Sequence, residues 1–152
     1  MKLIAHRGNT SGAKKNLENT TNYIEKAIAA EFDVEVDVWF DDAWHLGHDS
    51  PGEKVPESWL IQNASNLWLH AKNLAAMEKL AMSGPIFNYF WHENDERTLT
   101  SKGHFWTYPG KSLGKFSIAV MPEWDEKLDM QSLLTEDIFG ICSDYVSSYK
   151  GS

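Results

Sequence analysis

"FDVEVDVWF", residues 32–40, alternates apolar and acidic side chains from 32 to 38, so Asp33, Glu35 and Asp37 share one face of a strand and Val34, Val36, Val38 and Phe40 the other. An edge strand with a solvated face would explain such a pattern. This stretch, however, follows a strand and a helical segment, and the second strand of a βαβ unit belongs in the middle of a parallel sheet, covered on both faces. Successive carboxylates on such a strand are about 7 Å apart, and burying them unpaired is costly. A bound cation resolves the conflict, and an all-oxygen donor set suits a hard divalent ion, Mg²⁺ or Ca²⁺.

Outward from this strand, β-branched and aromatic runs recur at 2–6, 66–71, 86–91, 104–108, 116–122 and 138–145, which makes about seven strands. Amphipathic helices are expected at 17–31, 73–84 and 125–137. Strands and helices alternate at both ends of the chain, the mark of βαβ units and the α/β class. Between 105 and 121 the connector "PGKSLG" is too short for a crossover helix, so the architecture there is expected to be reduced or partly antiparallel.

The 152 residues fit a single domain, and no repeat, low-complexity tract or linker divides them. A formal net charge of −8, with no basic run longer than "KK" at 14–15, argues against nucleic acid as a partner. Cys142 is the only cysteine, which excludes an internal disulfide and a multi-cysteine metal site; it reads as a small buried hydrophobe in a protein not built for an oxidising compartment. No apolar run approaches the ~18 residues of a membrane span, and the expectation is a soluble, cytoplasmic protein.

Chemistry gathers where strands end. "IAHRG" (4–8) closes the first strand with His6 and Arg7, and "WHLGHD" (44–49) closes another short extended run with His48 and Asp49. Carboxyl ends of strands are where sites form in parallel α/β folds. Two histidines there can act as an acid/base pair near neutral pH, and the arginine fork suits a phosphate or a carboxylate.

The ordered set "IAHRG", "LENT", "EVDV" and "GHD", spread over residues 3–49, resembles the N-terminal signature of the glycerophosphodiester phosphodiesterases, with weaker echoes in "LHAKN" (69–73) and "GICSDYV" (140–146). The resemblance implies a TIM-type (β/α) barrel that uses a divalent ion and two histidines to cleave a small glycerophosphodiester-like substrate. On that pattern His6 and His48 are the acid/base pair, Arg7 clamps the phosphate and Lys72 contacts it. Glu35 and Asp37 are metal ligands, and Glu18 orients Arg7 or the outer shell of the metal.

Two departures stand out. His70 occupies the place where the family's third strand supplies a glutamate as last metal ligand, which moves the ion toward Mn²⁺ or Zn²⁺. The chain is also short of the ~250 residues of a full barrel, so the expected fold is a reduced (β/α) barrel with several helices shortened or missing. A barrel that binds a phosphorylated ligand without turning it over is the alternative.

Asp144, at the end of the last strand, is placed to support a histidine or to cap a turn. His92 and Glu93 read either as part of a solvated turn or as additions to the pocket, and Lys102 and Lys111 as loop contacts to a phosphate. Trp39, Trp91, Trp106 and Trp124, near strand ends, are candidates for pocket walls.

Overall fold

The computed structural model describes residues 1–151. Its strands are β1 (Lys2–His6), β2 (Asp33–Asp41), β3 (Ala43–Leu46), β4 (Lys54–Val55), β5 (Leu67–Ala71), β6 (Asn88–Phe90), β7 (Arg97–Leu99), β8 (Phe105–Thr107), β9 (Ser117–Val120) and β10 (Gly140–Ser143). Three helices accompany them: α1 (Thr21–Ala29), α2 (Glu57–Asn63) and α3 (Leu74–Met82).

All ten strands belong to one mixed sheet. From β6 the parallel ladder runs through β5, β2, β1, β10 and β9 to β8. β7 then adds antiparallel to β8, while the β3–β4 hairpin continues antiparallel from the second half of β2. Central placement of β2 is therefore as expected: β1 pairs with its first half, β5 with its middle, and six of its nine residues are buried in succession.

The barrel is not what forms. Among the described residues β6 pairs only with β5 and β7 only with β8, so the sheet stays open. It curls far enough for the Phe90 ring on β6 to stack on Trp106 of β8, with centroids 4.7 Å apart, but only isolated hydrogen bonds reach across, such as Ser101 N–H to the Tyr89 carbonyl at 2.8 Å. Beyond α3 the connectors are loops and 3-10 turns, and the ladder stays unpaired between β6 and β7.

One local expectation changes as well. Residues 125–137, expected as a helix, form only a short 3-10 segment at Met130–Thr135. Asp125 and Asp129 accept hydrogen bonds from the backbone N–H groups of Lys127 and Gln131, both at 3.0 Å, and these local turns compete with a helix. Between 105 and 121 the architecture is reduced, one of the two expected alternatives: β8 and β9 pair in parallel, joined by a loop without a helix.

The two faces of β2 divide the core as the alternation requires. Val34, Val36 and Val38 pack with Ile24 and Ala27 of α1, Leu60 of α2 and Ala76 and Leu80 of α3. Inside the curl, Ile4, Trp68, Phe90, Trp106, Ile118 and Cys142 form a second cluster. Asp33, at the amino end of the strand, is settled there by Lys2 Nζ at 3.0 Å and by the Trp68 indole N–H at 3.1 Å, away from the other two carboxylates.

Phe90 is held between two rings, Trp106 on one side and His70 on the other at 5.0 Å and 16°. Phe90→Ala is expected to lower unfolding free energy by about 3–5 kcal/mol, read by denaturant titration. A loss under 1 kcal/mol would mean that the gap between the sheet ends collapses without it.

Candidate active site

Glu35 and Asp37 stand on the inner face of β2 near the carboxyl ends of the parallel strands, 3% and 0% exposed. Across the ladder the register sets His70 of β5 beside Asp37. Its Nδ1 lies 3.1 Å from Asp37 Oδ1 and 3.7 Å from Glu35 Oε1. One ligand atom from each of these three buried residues falls within 4.8 Å of the others.

Asp37 is pinned from several sides. Arg7 Nε is 3.0 Å from its Oδ2 and Lys72 Nζ 3.8 Å from its Oδ1. Asn19 donates from Nδ2 to Asp37 Oδ2 at 2.9 Å and accepts the Asp37 backbone N–H at 3.0 Å. Burial alone would raise the Asp37 carboxyl, but His70, Arg7 and Asn19 outweigh it and hold it well below the usual carboxylate range. Glu35 moves the other way, raised by burial and by the charge of Asp37.

Local backbone geometry makes these contacts. Arg7 and Asn19 both take left-handed conformations, with φ of 54° each, which turns the guanidinium and the amide inward at the cost of strain. The glycine of "HRG" is needed because Gly8 has φ of 91° and a Cβ there would meet Tyr23 Cδ1 at 2.8 Å. Arg7 also pairs through Nη1 with Glu18 Oε2 at 3.2 Å, so Glu18 orients Arg7.

His6 Nδ1 is 2.8 Å from Asp144 Oδ1. An ionised carboxylate only accepts, so Nδ1 carries the proton and Nε2 is left for chemistry; that nitrogen sits 3.9 Å from Glu35 Oε2. Burial lowers the His6 pKa, but the Asp144 hydrogen bond and the Glu35 charge outweigh it, and the imidazole titrates above its ordinary 6.5. Asp144 is fixed in turn by Asn9 Nδ2 at 2.8 Å, and its backbone N–H donates to Glu123 Oε1 at 2.9 Å. In metal-free Asp144→Asn the strongest raising influence is gone, so the His6 titration followed by NMR is expected to move to lower pH; an unmoved midpoint would deny the pair its role.

A cavity of about 460 Å³ joins the parts: His6, Arg7, Glu35, His48, His70 and Lys72 all line it. His48 comes from its rim, with a side chain 41% exposed and Nδ1 2.7 Å from the exposed Asp49. Trp106 and Trp124 also form walls, whereas Trp39 and Trp91 do not; Trp39 instead donates its indole N–H to the Gly47 carbonyl at 2.7 Å and steadies the "GHD" loop.

His92 and Glu93 line the same cavity. The His92 ring stacks on Tyr108 at 4.1 Å, with Nδ1 3.1 Å from Asp95 Oδ1. Lys102 and Lys111 lie outside it, Lys111 being paired with Glu96. Sequence reasoning missed Tyr108, Asn9 and Asn19. For the asparagines a signal existed: one follows "HRG" and the other is the third letter of "LENT".

Comparison of the chain with protein-family models, curated proteins and solved structures finds no match. The site therefore stands on its own geometry. Glu35 Oε2 and Asp37 Oδ1 are buried without a hydrogen-bond donor, and together with His70 they fit a divalent cation. Among the described residues no helix is long and apolar enough to cross a membrane.

Proposed function

We propose that the protein is a metal-dependent hydrolase of small phosphodiesters. The observation that carries this reading is the convergence, in one cavity, of a buried carboxylate–imidazole cluster, two cations and a His–Asp pair. Arg7 and Lys72 attract and orient the anionic diester, with Arg7 held in place by Glu18 and Asp37.

A divalent ion on Glu35, Asp37 and His70 would neutralise charge on the phosphoryl oxygens. Within this reading His6 and His48 divide the proton transfers. One takes the proton of the attacking hydroxyl as the new P–O bond forms, and the other gives a proton to the departing alkoxide oxygen as the old one breaks. Asp144 keeps the His6 ring in the tautomer this requires.

³¹P NMR tests the reading. The purified protein is incubated with glycerophosphocholine and with bis(p-nitrophenyl) phosphate, with divalent ions present and then with EDTA. The expected result is replacement of the diester resonance by a monoester or cyclic product only with the ion. Perturbed diester resonances without product in any ion would instead identify a binding protein.

A further inference from the structure

We propose that the Glu35–Asp37–His70 centre takes a transition-metal dication of the Mn²⁺ or Zn²⁺ class in preference to Mg²⁺ or Ca²⁺, with His70 ligating through Nδ1. The inference deepens the metal-dependent reading of the cavity and rests on it.

Its basis is the fixed state of the His70 ring. Nε2 lies 3.1 Å from the backbone carbonyl oxygen of His92. A carbonyl can only accept, so Nε2 carries the proton, and in a neutral imidazole the lone pair is then on Nδ1. The ring cannot swing away, because it is buried and stacked on Phe90 at 5.0 Å.

Nδ1 thus faces Asp37 Oδ1 at 3.1 Å and Glu35 Oε1 at 3.7 Å. Glu35 Oε2 and Asp37 Oδ1, in side chains 3% and 0% exposed, have no hydrogen-bond donor. An imidazole nitrogen and two carboxylates converging in a buried space need a positive charge among them: in the metal-free protein a proton between Nδ1 and Asp37 meets that need, and a metal ion that displaces the proton binds the lone pair it leaves. Two ligand atoms in neighbouring positions on an ion with bonds of about 2.1 Å are themselves about 3 Å apart, close to the His70–Asp37 separation.

The donor set selects the ion. Ca²⁺ seeks six to eight oxygens and Mg²⁺ an octahedron of oxygens, whereas imidazole beside carboxylate favours first-row transition dications, Zn²⁺ above Mn²⁺. The His92 carbonyl performs the task usual for the outer partner of a metal-bound histidine: it fixes the tautomer and aims the ligating nitrogen. Cys142 is not among the ligand set and is buried in the apolar cluster inside the curl, where burial and the charge of Glu35 push its thiol pKa up, so thiolate does not compete.

The test uses metal-stripped protein and single ions as probes, read by thermal melting and by titration calorimetry. In the wild type, Mn²⁺ or Zn²⁺ is expected to bind at least about 10-fold more tightly than Mg²⁺ or Ca²⁺. His70→Glu is expected to reverse the order, and His70→Gln to weaken every ion. Wild-type selectivity decides the matter even if a variant fails to fold. Equal or tighter binding of Mg²⁺ or Ca²⁺ would overturn the inference. So would the absence of binding by any ion, which would leave His70 as a protonated cation between the carboxylates. Selective binding without diester turnover would uphold the inference and defeat the hydrolase reading; turnover with Mg²⁺ preferred would do the reverse.

Discussion

His6→Ala is expected to reduce diester turnover by about 10²- to 10⁴-fold, the usual contribution of one positioned proton-transfer group. The fold should survive, because Asp144, the residue left without its imidazole, keeps the Asn9 amide and its backbone link to Glu123. Metal-dependent thermal stabilisation should survive as well, since His6 Nε2 is 3.9 Å from Glu35 and outside the Glu35–Asp37–His70 set. Loss of rate with retained metal response separates a proton-transfer role from a structural one. Full activity in the variant would remove His6 from the mechanism.

Glu35→Gln is expected to produce two opposite changes in stability. Without metal, the variant removes a buried carboxylate that sits beside Asp37, so it should be at least as stable as the wild type. With metal at about 100 times its Kd, the wild type gains about 2.7 kcal/mol, or about 5–10 °C in Tm, and the variant should lose most of that gain together with turnover. The pH dependence carries the same sign. Burial and Asp37 raise the folded-state pKa of Glu35 above its ordinary 4.5, so between those two values the folded state holds a proton that the unfolded state has released. Metal-free wild type should therefore lose stability as pH rises through that raised pKa, and Glu35→Gln should lack this component. Differential scanning calorimetry across pH measures both, and parallel curves for the two proteins would contradict the account.

The strand that organises the site was readable because a strict two-residue alternation leaves only one way to face three valines toward helices and three carboxylates inward. His6 and Arg7 were readable because they close a strand, and parallel registry sets His6 beside Glu35; His70 and Lys72 were reached only through the resemblance, and registry pairs His70 with Asp37. What misled was the extension of a resemblance confined to residues 3–49 over the remaining two thirds of the chain. Beyond α3 the connectors there are loops and 3-10 turns, and the sheet curls but stays open. Helix 125–137 failed for a local reason, since Asp125 and Asp129 bind their own backbone. Asn9 and Asn19 were hard to see because their roles depend on loop closure through left-handed residues, and Tyr108 because only the curl of the sheet brings it to His92.

The most direct measurement is the rate of bis(p-nitrophenyl) phosphate hydrolysis by a single preparation, first stripped with EDTA and then titrated with Mn²⁺, with the melting temperature recorded at each step. The expected result is that rate and melting temperature rise together along one binding curve in the wild type, and that only the melting temperature rises in His6→Ala. A rate unaffected by EDTA, or metal binding that never yields nitrophenol, would contradict a metal-dependent hydrolase.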